Sequence, residues 1–168
     1  MKNQILFYET QRFRRPWFLA IILCVNGFFI YAFVSQVMMG HPIANSAMSD
    51  VGLSTTILIV VLISILFLTV RLDTLIREDG LYLRFFPFQG RYKKYAWQQL
   101  SKIFIRAYNP FLEFGGRGYR ITFGKGKAYN VSGNTGLQII MKDNSKLLIG
   151  TLKPLEAEEA INKINRKN

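Results

Sequence analysis

A chain of 168 residues with a formal net charge of +12 leaves room for one membrane unit and one small domain of about 100 residues. Its single cysteine, Cys24, and single histidine, His41, exclude an intramolecular disulfide, a cysteine-based metal cluster and a Ser-His-Asp or Cys-His catalytic set. The excess of Lys and Arg, 22 against 10 Asp and Glu, suits an anionic partner: nucleic acid, or the anionic face of a membrane.

Residues 1–15 form a basic and aromatic lead-in, with Ile5, Leu6, Phe7, Tyr8 and Phe13 set among polar residues. Two placements fit it: the headgroup layer, with Arg12, Arg14 and Arg15 on anionic lipid and Trp17 marking the interface, or packing against the folded domain. The next stretch, 16–39, reads PWFLAIILCVNGFFIYAFVSQVMM and holds no charge; a second, 51–70, reads VGLSTTILIVVLISILFLTV and holds none either. Crossing a hydrocarbon core roughly 30 Å thick takes about 20 helical residues, and both runs are apolar on every face rather than along one stripe. The pattern predicts two transmembrane helices over 16–70 joined by a short loop. The first run is longer than a signal-peptide core of about 7–15 residues and a second span follows, so cleavage is not expected. Lys2, Arg12, Arg14 and Arg15 precede the first run, Arg71, Arg77, Arg84, Arg91, Lys93 and Lys94 follow the second, and the loop 40–50 has no Lys or Arg. The positive-inside rule then predicts a multi-pass protein of the cell (inner or plasma) membrane with both termini cytoplasmic. An amide in hydrocarbon needs a partner, so Asn26 is expected to meet Ser64 or a backbone group of the second helix, with Gly27 allowing close approach.

From Arg71 the pattern changes to period-two runs broken by turn residues. Strands are expected from Leu72 to Glu78, through Leu81–Phe86 after an Asp79-Gly80 turn, from Arg91 to Trp97 and from Leu100 to Tyr108. Further strands follow at 119–123, 127–131, 137–142 and 146–150, with Gly124-Lys125-Gly126 and Asp143-Asn144-Ser145 as turns. The tail has Pro154 at a helix start, Glu156, Glu158 and Glu159 near it, and Ala157, Ala160, Ile161 and Ile164 at helical spacing. The expectation for 71–168 is an α+β domain of about seven antiparallel strands ending in an amphipathic helix.

That order resembles a pleckstrin-homology-type (PH-like) barrel. With the two spans, the chain is similar to small bacterial membrane proteins carrying PH-like domains, a largely uncharacterised family. The likeness is carried by QRFRRPWF at 11–18 and GYRITFGKGKAYNVSGNTGLQIIMKDNSKLLIGTLKP at 118–154, with Tyr129-Asn130, Gly133, Gly136 and Leu148-Ile149-Gly150-Thr151 as its shared points. These motifs imply a fold and no activity. Phosphoinositide-binding PH domains gather Lys and Arg in their first hairpin. Here that turn is the acidic Asp79-Gly80, and only Arg84 follows.

No stretch carries catalytic chemistry. Gly124-Lys125-Gly126-Lys127 lacks phosphate-loop spacing, and the paired carboxylates sit at a turn and a helix start. No enzyme activity, metal or cofactor is expected. The basic residues Arg91, Lys93, Lys94, Arg117, Arg120, Lys125 and Lys127 are the candidate anionic-surface binders, set among aromatics. Nucleic acid is not the expected partner, because the domain is tethered to a bilayer. The leading expectation is a non-enzymatic membrane protein whose PH-like module recruits or regulates another membrane protein. Binding of the anionic lipid surface is the alternative, and a transport or channel component built by hairpin oligomerisation the weaker third.

Overall fold

The computed structural model describes residues 4–13, 16–41 and 48–166 and contains two compact units, one of residues 13–69 and one of the chain on both sides of it. Lys2, Arg14, Arg15, Lys167 and residues 42–47 of the expected loop lie outside the described residues.

The 13–69 unit is a pair of helices. Helix α1 (Pro16–Phe33) runs on into a π-helical turn, Val34–Met38, and α2 covers Asp50–Thr69. Pro16 starts α1 where a missing N–H costs nothing, and Asp50 complements the positive end of α2. The two stretches, of 23 and 20 residues, are long and apolar enough to cross a membrane. Their apolar side chains face outward: Leu23 is 72% exposed and Leu58 59%. The helices meet through the Phe18 and Phe67 rings, whose centroids are 5.6 Å apart, and through Asn26.

The other unit holds, among the described residues, nine strands in two sheets. The first sheet is β1 (Ile5–Arg12), β2 (Arg71–Arg77), β3 (Gly80–Phe86) and β4 (Lys93–Tyr95), antiparallel throughout in that order. The second contains β5 (Leu100–Ala107), β6 (Gly118–Thr122), β7 (Gly126–Asn130), β8 (Thr135–Met141) and β9 (Lys146–Thr151), in the order β5-β8-β9-β7-β6. Neither sheet closes on itself. The expectation of about seven antiparallel strands over 71–168 is corrected on two points: eight are there, with β1 added from before the helix pair, and β7 pairs with β9 in parallel.

Strand β1 is the first of these surprises. It lies antiparallel to β2, with Arg12 opposite Arg71, so the folded domain does not begin at residue 71. Of the two placements open to residues 1–15, packing on the domain is the one residues 5–12 adopt. The strand was hidden because its inward face carries Phe7 but also Glu9 and Gln11, all buried, which breaks the apolar alternation. Both polar groups are satisfied across the domain. Glu9 accepts from Thr151 Oγ1 at 2.6 Å and Leu152 N at 2.8 Å; Gln11 Nε2 donates to Gly150 O at 2.7 Å and its Oε1 accepts from Ser132 N at 3.3 Å.

The core is supplied by Leu72, Ile76, Leu81, Leu83 and Phe85 of the first sheet and Leu137, Ile139, Leu147 and Ile149 of the second. Helix α4 (Pro154–Asn165) buries Ala157, Ala160, Ile161 and Ile164, packing against β1, β2, β5 and β8. A short helix unforeseen from the sequence, α3 (Pro110–Phe114), is capped by Asn109, whose side chain accepts from Phe111 N and Leu112 N. Its Phe114 joins Tyr108, Ala128 and Leu148 in a separate apolar cluster. The strand expected over Arg91–Trp97 shrinks to β4 and is followed by a 3-10 turn, Trp97–Gln99.

Candidate functional site

The β domain has an open groove of about 1360 Å³ between β4 with the 3-10 turn, the β6–β7 turn, and the β8–β9 turn. Each wall is set by local chemistry. The β8–β9 turn is tight because Asn144 takes a left-handed conformation, φ 64°, and Asp143 Oδ1 accepts from Ser145 N at 2.9 Å. Hydrogen bonding from Ser145 also holds the Asp143 carboxyl below its ordinary range. Lys142 N donates to Gln99 O at 2.9 Å, which fixes this turn against the 3-10 segment. The floor needs Gly126: at φ +83° a Cβ there would lie 2.1 Å from Lys146 O, so only glycine lets β7 approach β9.

Four lysines line the groove, Lys93, Lys127, Lys142 and Lys146, against one acid, Asp143. Lys146 Nζ reaches Gly124 O at 3.5 Å, and Lys93 Nζ lies 5.3 Å from the Tyr95 ring centroid. Apolar lining comes from Tyr95, Ile121, Phe123, Met141 and Leu147, and Phe123 is fully exposed at the turn. Burial pushes the Tyr95 phenol up, so it stays neutral at the groove wall. This lining suits an anionic and partly apolar chain. Among the described residues no three His, Cys, Asp or Glu side chains are grouped as a metal requires.

The structure scatters the basic residues singled out in the sequence. Lys93 and Lys127 line the groove, and Lys125 is exposed in the β6–β7 turn beside them. Lys94 points elsewhere, ion-paired to Asp79 at 2.5 Å and 5.6 Å from the Tyr82 ring centroid; Asp79 raises the lysine, and Lys94, then Tyr82, lowers the Asp79 carboxyl. Arg117 is a clip: its Nη1 donates to Gly133 O at 3.0 Å and its Nη2 to Asn134 Oδ1 at 3.4 Å, holding the β7–β8 connection. Arg120 Nε donates to Arg117 O at 3.2 Å. Arg91 is exposed in the β3–β4 connection, outside the groove lining. Sequence reading missed Lys142 and Lys146. Their position on either side of the Asp143-Asn144-Ser145 turn is the signal that places both at one end of a hairpin.

Between the helices, the structure brings Asn26 and Ser64 together. Asn26 Nδ2 donates to Ser64 Oγ and to Ile22 O, both at 2.8 Å, and Ser64 Oγ donates to Val60 O at 2.8 Å. Gly27 is corrected: a Cβ there would meet nothing within 4 Å. One residue further is about 100° around the helix, which turns Gly27 away from the face that carries Asn26.

The points shared with the resemblance in the sequence are structural. Asn130, buried, accepts from Gly118 N at 2.8 Å, and a Cβ on Gly136 would lie 2.7 Å from Ile149 O. Together the parts define a class: a two-sheet α+β domain with an apolar helix pair inserted between adjacent strands. The chain belongs to the family of unknown function DUF6141, whose model matches residues 2–164. No curated protein and no solved structure matches it.

Proposed function

We propose that this is a non-enzymatic membrane protein, spanning the bilayer with α1 and α2, whose β domain is a cytoplasmic binding module that recruits or regulates another membrane protein. The observation that carries the reading is the groove, with four lysines, one acid and an exposed aromatic lip. Its occupant would be an acidic segment of the partner that also offers apolar side chains. The outward apolar faces of both helices support the spans, since such surface is otherwise exposed to water. The basic flanks and the uncharged loop support cytoplasmic termini in a cell (inner or plasma) membrane. Antiparallel strands capped by an amphipathic C-terminal helix support a PH-like ancestry, with an open and partly parallel arrangement as its departure.

The test is purification of the full-length protein in lipid-preserving detergent, with a photo-cross-linking residue at Phe123. A stoichiometric membrane-protein adduct that disappears with Lys127→Glu and Lys142→Glu supports the reading. Repeated purification of the protein alone, with no adduct, refutes it.

A second reading is favoured by the fully exposed Phe123 flanked by Lys125 and Lys127: the β6–β7 turn docks on anionic lipid. For the hairpin-oligomer reading, the Asn26 amide N–H is engaged within its own hairpin, which leaves Gly27 as its support.

A further inference from the structure

The end of the first sheet from which the helices leave has a composition of its own. Its last rung is Arg12–Arg71–Phe86, read across β1, β2 and β3. Arg71 stands two residues after Thr69, the last residue of α2, a path of about 8 Å along the chain. The opposite end of the sheet, the Arg77–Gly80 rung, is six residues further along the ladder, about 20 Å away. The connection leaving Phe86 carries Phe88, 66% exposed although its ring stacks on buried Phe85 with centroids 5.6 Å apart. Gln89 anchors that connection by donating from its backbone N to Phe85 O at 2.8 Å and from its Nε2 to Tyr129 Oη at 2.9 Å. Phe88 is therefore held outward by its surroundings.

The charge beside it is in surplus. Arg84 claims Asp73 with two hydrogen bonds, at 2.9 and 2.6 Å, leaving Arg71 a 3.5 Å approach to the same oxygen and a place over the Phe86 ring, 5.1 Å from its centroid. Arg12 and Arg91 are exposed. Guanidinium groups bind phosphate esters with paired N–H donors, and aromatic rings favour the depth at which headgroups meet hydrocarbon.

We propose that this end of the sheet is a headgroup-binding rim for anionic phospholipid, in which Arg12, Arg71 and Arg91 engage lipid phosphate and Phe88 enters the interface. The inference rests on the membrane-spanning reading of α1 and α2. It assigns lipid contact to the rim in place of the β6–β7 turn of the second reading, and position 123 is the comparison that separates the two.

The experiment uses the full-length protein in vesicles, with Cys24→Ser and a single spin label introduced at Phe88→Cys, Phe123→Cys or Leu62→Cys. Vesicles are phosphatidylcholine alone or mixed with phosphatidylglycerol, and the readout is accessibility to oxygen and to a water-soluble nickel chelate. The expected result is loss of nickel accessibility at position 88 but not at 123 in the mixed vesicles, with that loss reversed by Arg91→Glu together with Arg12→Glu. A label at 88 as accessible to nickel as that at 123, while 62 is buried, overturns the rim and spares the spans. Equal depth at 88 in both vesicle types overturns the anionic preference. Nickel access at 62 overturns the spanning reading and the rim with it.

Discussion

Glu9 and Thr151, 142 residues apart in the chain, are joined by a 2.6 Å hydrogen bond, and both are buried. The bond fastens a strand that precedes the helix pair to the last strand of the domain. Losing Glu9 strands the partners of both its oxygens, so Glu9→Ala should cost about 1–3 kcal/mol, and Glu9→Gln less. Chemical denaturation of the purified protein measures the difference.

Because Arg12 faces Arg71 in the β1–β2 ladder, replacing residues 13–70 by a two-residue Asn-Gly turn should yield a soluble, folded domain. A fragment beginning at residue 73 should not fold, lacking β1 and the start of β2. Circular dichroism and amide exchange distinguish the two proteins. Floated with liposomes, the joined domain also tests surface binding free of the helices.

Gly126→Ala should destabilise the domain by about 1–3 kcal/mol, because it combines positive φ with a collision against Lys146 O. The change should also widen the groove floor and weaken whatever the groove binds. Thermal unfolding of the joined domain gives the first quantity.

Asn26 and Ser64 should show a coupling of about 0.5–1.5 kcal/mol in a double-mutant cycle of Asn26→Leu and Ser64→Ala in detergent or bilayer. Oligomeric state should not change in either single variant.

Tyr129 and Glu113 are among the groups that contribute to the pH limits. Burial pushes the Tyr129 phenol up to about 12 from 10.0, so the folded state holds a proton the unfolded chain has released. Its contribution is complete below 10.0 and disappears as pH rises through about 12. Tyr129→Phe should flatten that alkaline loss. At the other end, the Arg106 guanidinium, donating to Glu113 at 3.1 and 2.7 Å, lowers the Glu113 carboxyl from 4.5. That stability is full above 4.5 and lost as pH falls through the lower folded value, and Glu113→Gln should remove its share of the acid loss, with Asp79 and Asp143 contributing the same sign. Unfolding midpoints across pH read both.

The sequence was informative where one rule acted alone. Uncharged runs of helical length gave the helix pair, Asp79-Gly80 and Asp143-Asn144 gave turns, and Ala157, Ala160, Ile161 and Ile164 gave the buried face of α4. It failed where tertiary context overrode local pattern. Glu9 and Gln11 read as surface residues because their partners, Thr151, Leu152, Gly150 and Ser132, lie more than a hundred residues away. Asn109-Pro110 was an overlooked helix start, a capping side chain followed by proline. The basic residues divided by partner, which charge counting does not reveal: Lys94 went to Asp79 and Arg117 to backbone carbonyls. The parallel contact of β7 with β9 depends on Gly126, whose role is visible only once Lys146 O stands beside it.

The β1–β2 pairing makes the folded domain depend on chain made both before and after the helix pair. The first strand leaves the ribosome early and has nothing to bond with until the helix pair has been made and the chain has come back to where it started. A hairpin inserted with its ends on opposite sides would leave β1 and β2 unable to meet, with Glu9 and Gln11 deprived of every partner they have in the fold. Such a chain would carry an open edge strand, a template for pairing with other chains. Completion of the domain thus requires both ends of the helix pair to come back together.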